Sequence, residues 1–161
     1  MTDSPDGSLY AALVAFFEAE NWPAALAEDQ ALLSLPYQGQ NGQWLCYAQA
    51  REAEQQFIFY SVCPVNVPAA RRMAVAEFVT RANYGLVIGN FELDLDDGEL
   101  RYKTALDVEG DAISLALIRQ CVYPNVLMMD LYLPALMRVV YGQATPVEAL
   151  EKVFAEEVAG E

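Results

Sequence analysis

The predicted fold is organised around residues 89–109, GNFELDLDDGELRYKTALDVE. This stretch has the pattern of a β-hairpin. Apolar and acidic residues alternate over positions 91–96, which is the period of a half-buried strand. Asp97-Gly98 matches a two-residue type I′ turn, a turn that requires positive φ angles. The stretch therefore predicts two adjacent antiparallel strands joined at Asp97-Gly98.

The register of this hairpin follows from a two-residue turn. Such a turn places Leu95 opposite Leu100 and Leu93 opposite Tyr102, so that one face is apolar. The other face then carries two cross-strand pairs of opposite charge, Asp94 with Arg101 and Glu92 with Lys103. Each pair is worth about 0.2–1 kcal/mol, and a slip by one residue would set apolar against charged side chains.

A three-stranded meander is predicted earlier in the chain. Residues 32–38 and 44–51 flank Asn41-Gly42, a second type I′ signal. A two-residue turn there sets Tyr37 opposite Cys46 and Leu35 opposite Ala48. A turn at positions 54–55 leads to a third strand at 57–62, rich in β-forming residues. Pro36 indicates the edge of a sheet, because proline cannot donate to a strand ladder. Residues 24–30 remain open between an alanine-rich half-helix and the lead into a strand.

Helical spacing and capping signals predict the helices. The first is capped by Ser8, the third by Asp111, and the last by the Thr145–Glu148 capping box. Pro124 separates two of them. The predicted helices span residues 9–20, 69–84, 112–123, 125–141 and 146–157. With the two segments on either side of Pro124 counted as one interrupted helix, the order is α-β-β-β-α-β-β-α-α, typical of an α+β fold with a mainly antiparallel sheet and helices packed around it.

Length and composition limit the class of protein. The chain has 161 residues and is 55% hydrophobic, which fits one domain, predicted over residues 8–158 after a loose tail at residues 1–7. The net charge is −14, so we expect no binding to nucleic acid or to anionic membranes. No stretch is apolar and long enough to span a bilayer.

The sequence lacks the residues of common active sites. Histidine is absent, and no CxxC motif links the three cysteines Cys46, Cys63 and Cys121. The acidic stretch around Asp94 and Asp96 departs from the spacing of an EF-hand calcium loop. We therefore predict a non-enzyme without metal or cofactor. The odd cysteine number and the polar N-terminus favour reduced thiols in a cytoplasmic protein.

A candidate interaction surface follows from the alternation in the meander. One face of these strands is uniformly apolar and should pack on the helices. The opposite face, expected to be polar, also carries four large apolar or aromatic side chains: Leu45, Tyr47, Ile58 and Tyr60. Such a patch is typical of an interface. The competing hypothesis is that one of the protein's own helices, such as residues 125–141, covers this face.

The sequence RANYGLVIGNFELDLDDGELRYKTALDVEG at 81–110 resembles the YbjN-domain family of bacterial sensory-transduction regulators. Weaker matches are NGQW at 41–44, FYSVCPVNVP at 59–68 and MDLYLPALMRVVYGQATPVEAL at 129–150. The family is similar in fold to type III secretion chaperones, small acidic α+β proteins that bind other polypeptides and often dimerise. It carries no established catalytic residues.

The resemblance implies a non-enzymatic protein-interaction module, chaperone-like or regulatory. Its partner would be another protein, a peptide or a second copy of the same chain. The alternative is a small-molecule-binding sensor domain, which would need a largely apolar pocket with convergent polar groups.

Overall fold

The computed structural model describes residues 8–160, so the predicted tail at residues 1–7 lies outside the described residues. The predicted α+β class is confirmed. The helices are α1 (Leu9–Ala19), α2 (Arg72–Asn83), α3 (Leu115–Val140) and α4 (Pro146–Ala159). The strands are β1 (Ala25–Ala27), β2 (Leu32–Gln38), β3 (Gln43–Arg51), β4 (Gln56–Val62), β5 (Asn90–Leu93) and β6 (Leu100–Asp107).

The strands form one antiparallel sheet in the order β1-β2-β3-β4-β6-β5. The stretch left open at 24–30 supplies β1 and a following 3-10 turn. The prediction that Pro36 marks an edge strand is wrong for β2 as a whole, since β2 lies between β1 and β3. However, β1 reaches only to Ser34. Pro36 is beyond its end, and its carbonyl accepts a hydrogen bond from Trp22 Nε1 at 2.6 Å.

The β2–β3 register differs by two residues from the predicted one. Leu35 pairs with Cys46 rather than with Ala48, and Tyr37 pairs with Trp44 rather than with Cys46. The connection is a four-residue loop, residues 39–42, in place of the two-residue turn. The reason is tertiary: the carboxylate of Asp130 accepts hydrogen bonds from backbone N–H groups of this loop.

The predicted register of the β5–β6 hairpin is also wrong by two residues. Leu93, rather than Leu95, pairs with Leu100, and Phe91 pairs with Tyr102. Residues 94–99 form a longer loop in which Leu95 is exposed. Three contacts favour that loop over the tight turn.

Two of these contacts are short-range and one comes from a helix. Asp94 Oδ1 accepts from Asp96 N, and Asp97 Oδ1 accepts from Glu99 N, each at 2.8 Å. These Asx turns stabilise a wider loop. The guanidinium of Arg72, the first residue of α2, donates to the carbonyls of residues 95 and 96 at 3.3 and 3.1 Å.

The shifted register changes one predicted ion pair. Glu92 lies directly opposite Arg101, and its carboxylate also binds Lys103 diagonally. Asp94 bonds to the loop backbone instead of to Arg101, so the predicted Asp94–Arg101 pair is wrong. A shift of two residues preserves the faces of a strand. Leu93, Leu100 and Tyr102 therefore share one face as predicted, whereas Leu95 lies in the exposed loop.

The helices follow their capping signals with one correction. Ser8 caps α1, and the carboxylate of Glu52 accepts the N–H groups of Leu9 and Tyr10 at 3.1 and 2.7 Å. The predicted buried stripe of α2 is present: Val75, Phe78, Val79 and Ala82. The capping box of α4 is formed by Thr145 and Glu148.

The correction concerns residues 112–141, which contain one helix rather than two. Ser114, not Asp111, caps α3, and the helix continues through Pro124. A proline removes one N–H from the helical ladder. The helix persists because one side of it is buried from Ile118 to Val140. Thr104 Oγ1 also donates to the carbonyl of Cys121 at 2.7 Å, which holds the turn before Pro124 against the sheet.

The core lies between the sheet and the helices. Asn125 of α3 is fully buried, and its Nδ2 donates to the carbonyls of Phe59 and Tyr102 at 3.0 Å each. Phe17 of α1 stacks on Phe59 with ring centroids 6.1 Å apart. The ring of Tyr132 in α3 meets Phe91 edge-on. The helices therefore pack on the sheet face that carries Phe59, Phe91 and Tyr102.

Candidate interaction surface

The opposite side of the sheet, here called the open face, carries all four predicted surface residues. Leu45 and Tyr47 come from β3, and Ile58 and Tyr60 from β4. Tyr47 and Tyr60 are direct cross-strand neighbours. Leu45 is 47% exposed, and the other three side chains are half-buried by one another and by adjacent strand residues.

Helix α3 does not cover this face. Its contacts with Thr104, Phe91 and Tyr102 are all made on the other side of the sheet. The contact of α1 with Phe59 is on that other side as well. Within residues 8–160 the helix that the competing hypothesis places over the patch lies behind the sheet instead.

The structure adds two residues that the sequence argument did not select. Val62 pairs with Leu45 across β4 and β3, and Pro36 pairs with Leu45 across β2 and β3. Both share the alternation of the four predicted residues, so the signal was in the sequence. The apolar row therefore runs across three neighbouring strands, Pro36–Leu45–Val62.

Cations border this apolar area on β6. The guanidinium of Arg101 lies over the ring of Tyr60, 4.2 Å from its centroid. Arg101 Nε is 2.7 Å from Glu92 Oε2, and Lys103 binds the other carboxylate oxygen. Partial burial alone would raise the pKa of Glu92, but the hydrogen bonds from Lys103 and Arg101 outweigh it and hold that pKa below its usual value.

The open face is close to electrically neutral although the chain is strongly acidic. Its strand residues include three cations, Arg51, Arg101 and Lys103, and two carboxylates, Glu92 and Asp107. The whole chain carries a net charge of −14. A partner that approaches this face therefore avoids the repulsion that the rest of the acidic surface imposes on other acidic molecules.

A groove of about 680 Å³ continues the open face at the β2–β3 end of the sheet. It shares Pro36, Leu45, Tyr47 and Val62 with the open face and adds Pro64 from the loop after β4. The groove and the patch thus form one continuous surface.

The three thiols are poorly suited to nucleophilic chemistry. All are free and buried. Burial raises the pKa of Cys46 to about 12 and that of Cys121 to about 11, and it also raises the pKa of Cys63. A protonated, inaccessible thiol is inert.

The described part of the chain also lacks two other kinds of site. No cluster of three or more acidic or cysteine side chains within residues 8–160 is placed to hold a metal ion. Among the helices in the same range, none combines the length and apolar character needed to cross a membrane.

Comparison with known proteins places these features in context. The sequence model of a family, YbjN, described as "Putative bacterial sensory transduction regulator", matches residues 10–136. No curated protein sequence matches this chain. The match supports a protein-interaction or regulatory role, since the family is described by regulation and not by a reaction.

The following solved structures are similar to this chain. The crystal structure of YbjN from E. coli has a TM-score of 0.60 and 12% identity, covering 75% of this chain and 88% of the other. A chain of the ExsC–ExsE complex has a TM-score of 0.52 and 9% identity, covering 77% and 90%. A chain of the HopA1–SchA chaperone–effector complex has a TM-score of 0.46 and 12% identity, covering 75% and 91%.

Proposed function

The chain belongs to the YbjN family, and from this premise we propose that it is a non-enzymatic protein-interaction module, chaperone-like or regulatory. Its open face binds a protein or peptide partner. The observation that carries the proposal is the partly exposed apolar band formed by Leu45, Tyr47, Ile58 and Tyr60 on a sheet face without a covering helix among residues 8–160.

The composition of the band suits protein recognition. Interfaces are enriched in tyrosine and arginine and depleted of lysine and glutamate at their centres. Tyr47 and Tyr60 lie side by side at the middle of the band, and the guanidinium of Arg101 lies over the ring of Tyr60. Glu92 lies farther out on β5, where a polar rim is expected, and it binds Lys103, which is directly opposite Tyr60 on β6.

The sheet edges are less suited to a partner than the face. Adding a strand to an edge requires a row of free backbone groups. The edge strands β1 and β5 contain only three and four residues. A partner would gain few backbone hydrogen bonds there, whereas the face offers side-chain contacts from three long strands.

The buried thiols are consistent with the proposed cytoplasmic location. Cys46, Cys63 and Cys121 are all unpaired, as expected for a protein in a reducing compartment.

A matched pair of variants tests the proposal. Tyr47→Ser with Tyr60→Ser removes the centre of the band, and Leu127→Ser removes a side chain that is 58% exposed on α3, behind the sheet. Sedimentation velocity and native mass spectrometry of freshly purified protein, together with pull-downs, compare both with the parent. We expect the double variant alone to lose its bound polypeptide or its self-association.

Two outcomes would contradict the proposal. Unchanged association of a folded Tyr47→Ser, Tyr60→Ser protein would exclude the open face. A stoichiometric small molecule retained in native mass spectrometry, with no polypeptide bound, would instead favour the sensor alternative.

A further inference from the structure

A second apolar groove lies in the helical layer, between α2 and α4. It has a volume of about 480 Å³. Leu150 forms its floor, and Tyr84, Val147 and Phe154 form its walls. Tyr84 is 92% exposed, and Val147 and Phe154 are 42% and 46% exposed. These exposures are high for an aromatic and apolar cluster on a protein of this size.

Further exposed apolar side chains follow Tyr84 and Phe154 in the chain. Val87 and Ile88 follow Tyr84 in the loop after α2 and are 90% and 52% exposed. Val158, one helical turn beyond Phe154 on α4, is 75% exposed. Helix α4 therefore has two apolar stripes: Ala149, Leu150 and Val153 face the core, while Val147, Phe154 and Val158 face outward.

The outward stripe has helical spacing. Its residues recur at i, i+7 and i+11, the spacing by which one helix contacts another along its length. The stripe spans about 16 Å, or three helical turns, at 1.5 Å per residue. In the helix-in-groove mode of peptide recognition, an incoming amphipathic helix fills such a groove with its own apolar anchors at i, i+3/i+4 and i+7.

The charged residues around the groove favour a basic partner. Of the charged residues on α4, Glu151 is the one that lines the groove, and the exposed surface of the helix as a whole is acidic, with Glu148, Glu151, Glu156 and Glu157 against Lys152. On the α2 side Arg81 is paired with Glu77 at 3.3 Å, so its charge is largely offset. A second acidic copy of this chain would be repelled here, whereas basic residues would be attracted.

We propose that the α2–α4 groove, separate from the open face, is a docking site for a basic amphipathic helix of a partner protein. Apolar side chains of that helix pack between Tyr84 and Phe154, and its Lys and Arg residues face Glu151 in the groove and the acidic surface of α4 around it. Val147, Leu150 and Phe154 lie beyond residue 136, where the family match ends.

The test uses a synthetic 18-residue leucine–lysine peptide of amphipathic helical pattern, labelled for fluorescence anisotropy. Two control peptides have the same composition in scrambled order, or glutamate in place of lysine. We expect saturable 1:1 binding of the first peptide, at least tenfold tighter than either control. Tyr84→Ser with Phe154→Ser should weaken binding at least tenfold, while Leu127→Ser should change it less than twofold.

The open-face variant Tyr47→Ser, Tyr60→Ser should bind the peptide like the parent, so the two proposals fail independently. NMR shift changes on peptide addition should centre on Val147 and Phe154, a readout that does not depend on the folding of a variant. Equal affinity for the scrambled peptide, or no effect of Tyr84→Ser with Phe154→Ser, would overturn the proposal. A dimer of the parent that this double variant abolishes would assign the groove to a second copy and overturn it as well.

Discussion

Asp130 Oδ1 accepts a hydrogen bond from the backbone N–H of Asn41 at 2.8 Å, although 89 residues separate them. The other carboxylate oxygen accepts from Gln40 N at 2.8 Å, and Asn41 Nδ2 donates to the Asp130 carbonyl at 2.9 Å. One side chain of α3 thus satisfies two loop N–H groups. This contact holds the β2–β3 loop open at four residues and sets the register of Leu45 and Tyr47 on the open face.

Replacing this carboxylate should destabilise the protein. Asp130→Ala leaves the N–H groups of Gln40 and Asn41 without their acceptor beside a largely buried site. We expect a loss of about 2–3 kcal/mol in the free energy of unfolding, measured by chemical denaturation. Gln40→Ala is the matched control, because it keeps the backbone N–H and removes only an exposed side chain. Similar midpoints for the two variants would show that the contact does not stabilise the loop.

Two glycines with the same backbone conformation should respond differently to alanine. Gly98 and Gly110 have φ angles of +81° and +82°. A Cβ on Gly98 would lie 2.1 Å from the carbonyl oxygen of Val67, while one on Gly110 would meet nothing within 4 Å. Gly110→Ala should cost about 1 kcal/mol for the left-handed conformation, and Gly98→Ala about 3 kcal/mol because a backbone clash is added. Equal denaturation midpoints for these two variants would disprove the close approach of the loop to Val67.

The ion pairs of Glu92 should make a pH-dependent contribution to stability. The folded-state pKa of Glu92 is held below its usual value by Lys103 and Arg101, despite partial burial. The stabilisation is therefore complete above the usual glutamate pKa and is lost as the pH falls through the lowered pKa. Glu92→Gln should cost about 1 kcal/mol near pH 7 and close to nothing near pH 2. A stability difference that is the same at both pH values would contradict this account.

The thiols should be protected until the protein unfolds. Burial raises the pKa of Cys46 to about 12 and of Cys121 to about 11, so both stay protonated at pH 8. We expect no labelling of any of the three cysteines by iodoacetamide at pH 8 in the native state, and triple labelling in denaturant, read by intact-mass spectrometry. Rapid native labelling would show that the helical layer opens over Cys46, Cys63 or Cys121.

Much of the candidate interaction surface could be predicted from alternation alone. Leu45, Tyr47, Ile58 and Tyr60 share one face in the structure, although the predicted β2–β3 register was wrong by two residues. An error of two residues moves cross-strand partners but leaves every side chain on its own face, because the strand period is two. The α2–α4 groove was not predicted, because only packing shows that the outward stripe of α4 lies beside Tyr84.

Several elements of the fold depend only on residues that are close together in the chain and could be predicted from them. Capping by Ser8 and Thr145, the buried stripe of α2 and the faces of the strands all follow from side chains within a few positions of one another. The widths of two loops and the continuity of α3 depend instead on contacts between residues far apart in the chain. Asp130 widens one loop and Arg72 helps to hold another, and Thr104 and the buried core hold α3 as one helix through Pro124. Local propensities differ by about 1 kcal/mol or less per residue. Hydrogen bonds and packing between distant residues contribute as much or more, and they therefore override these propensities.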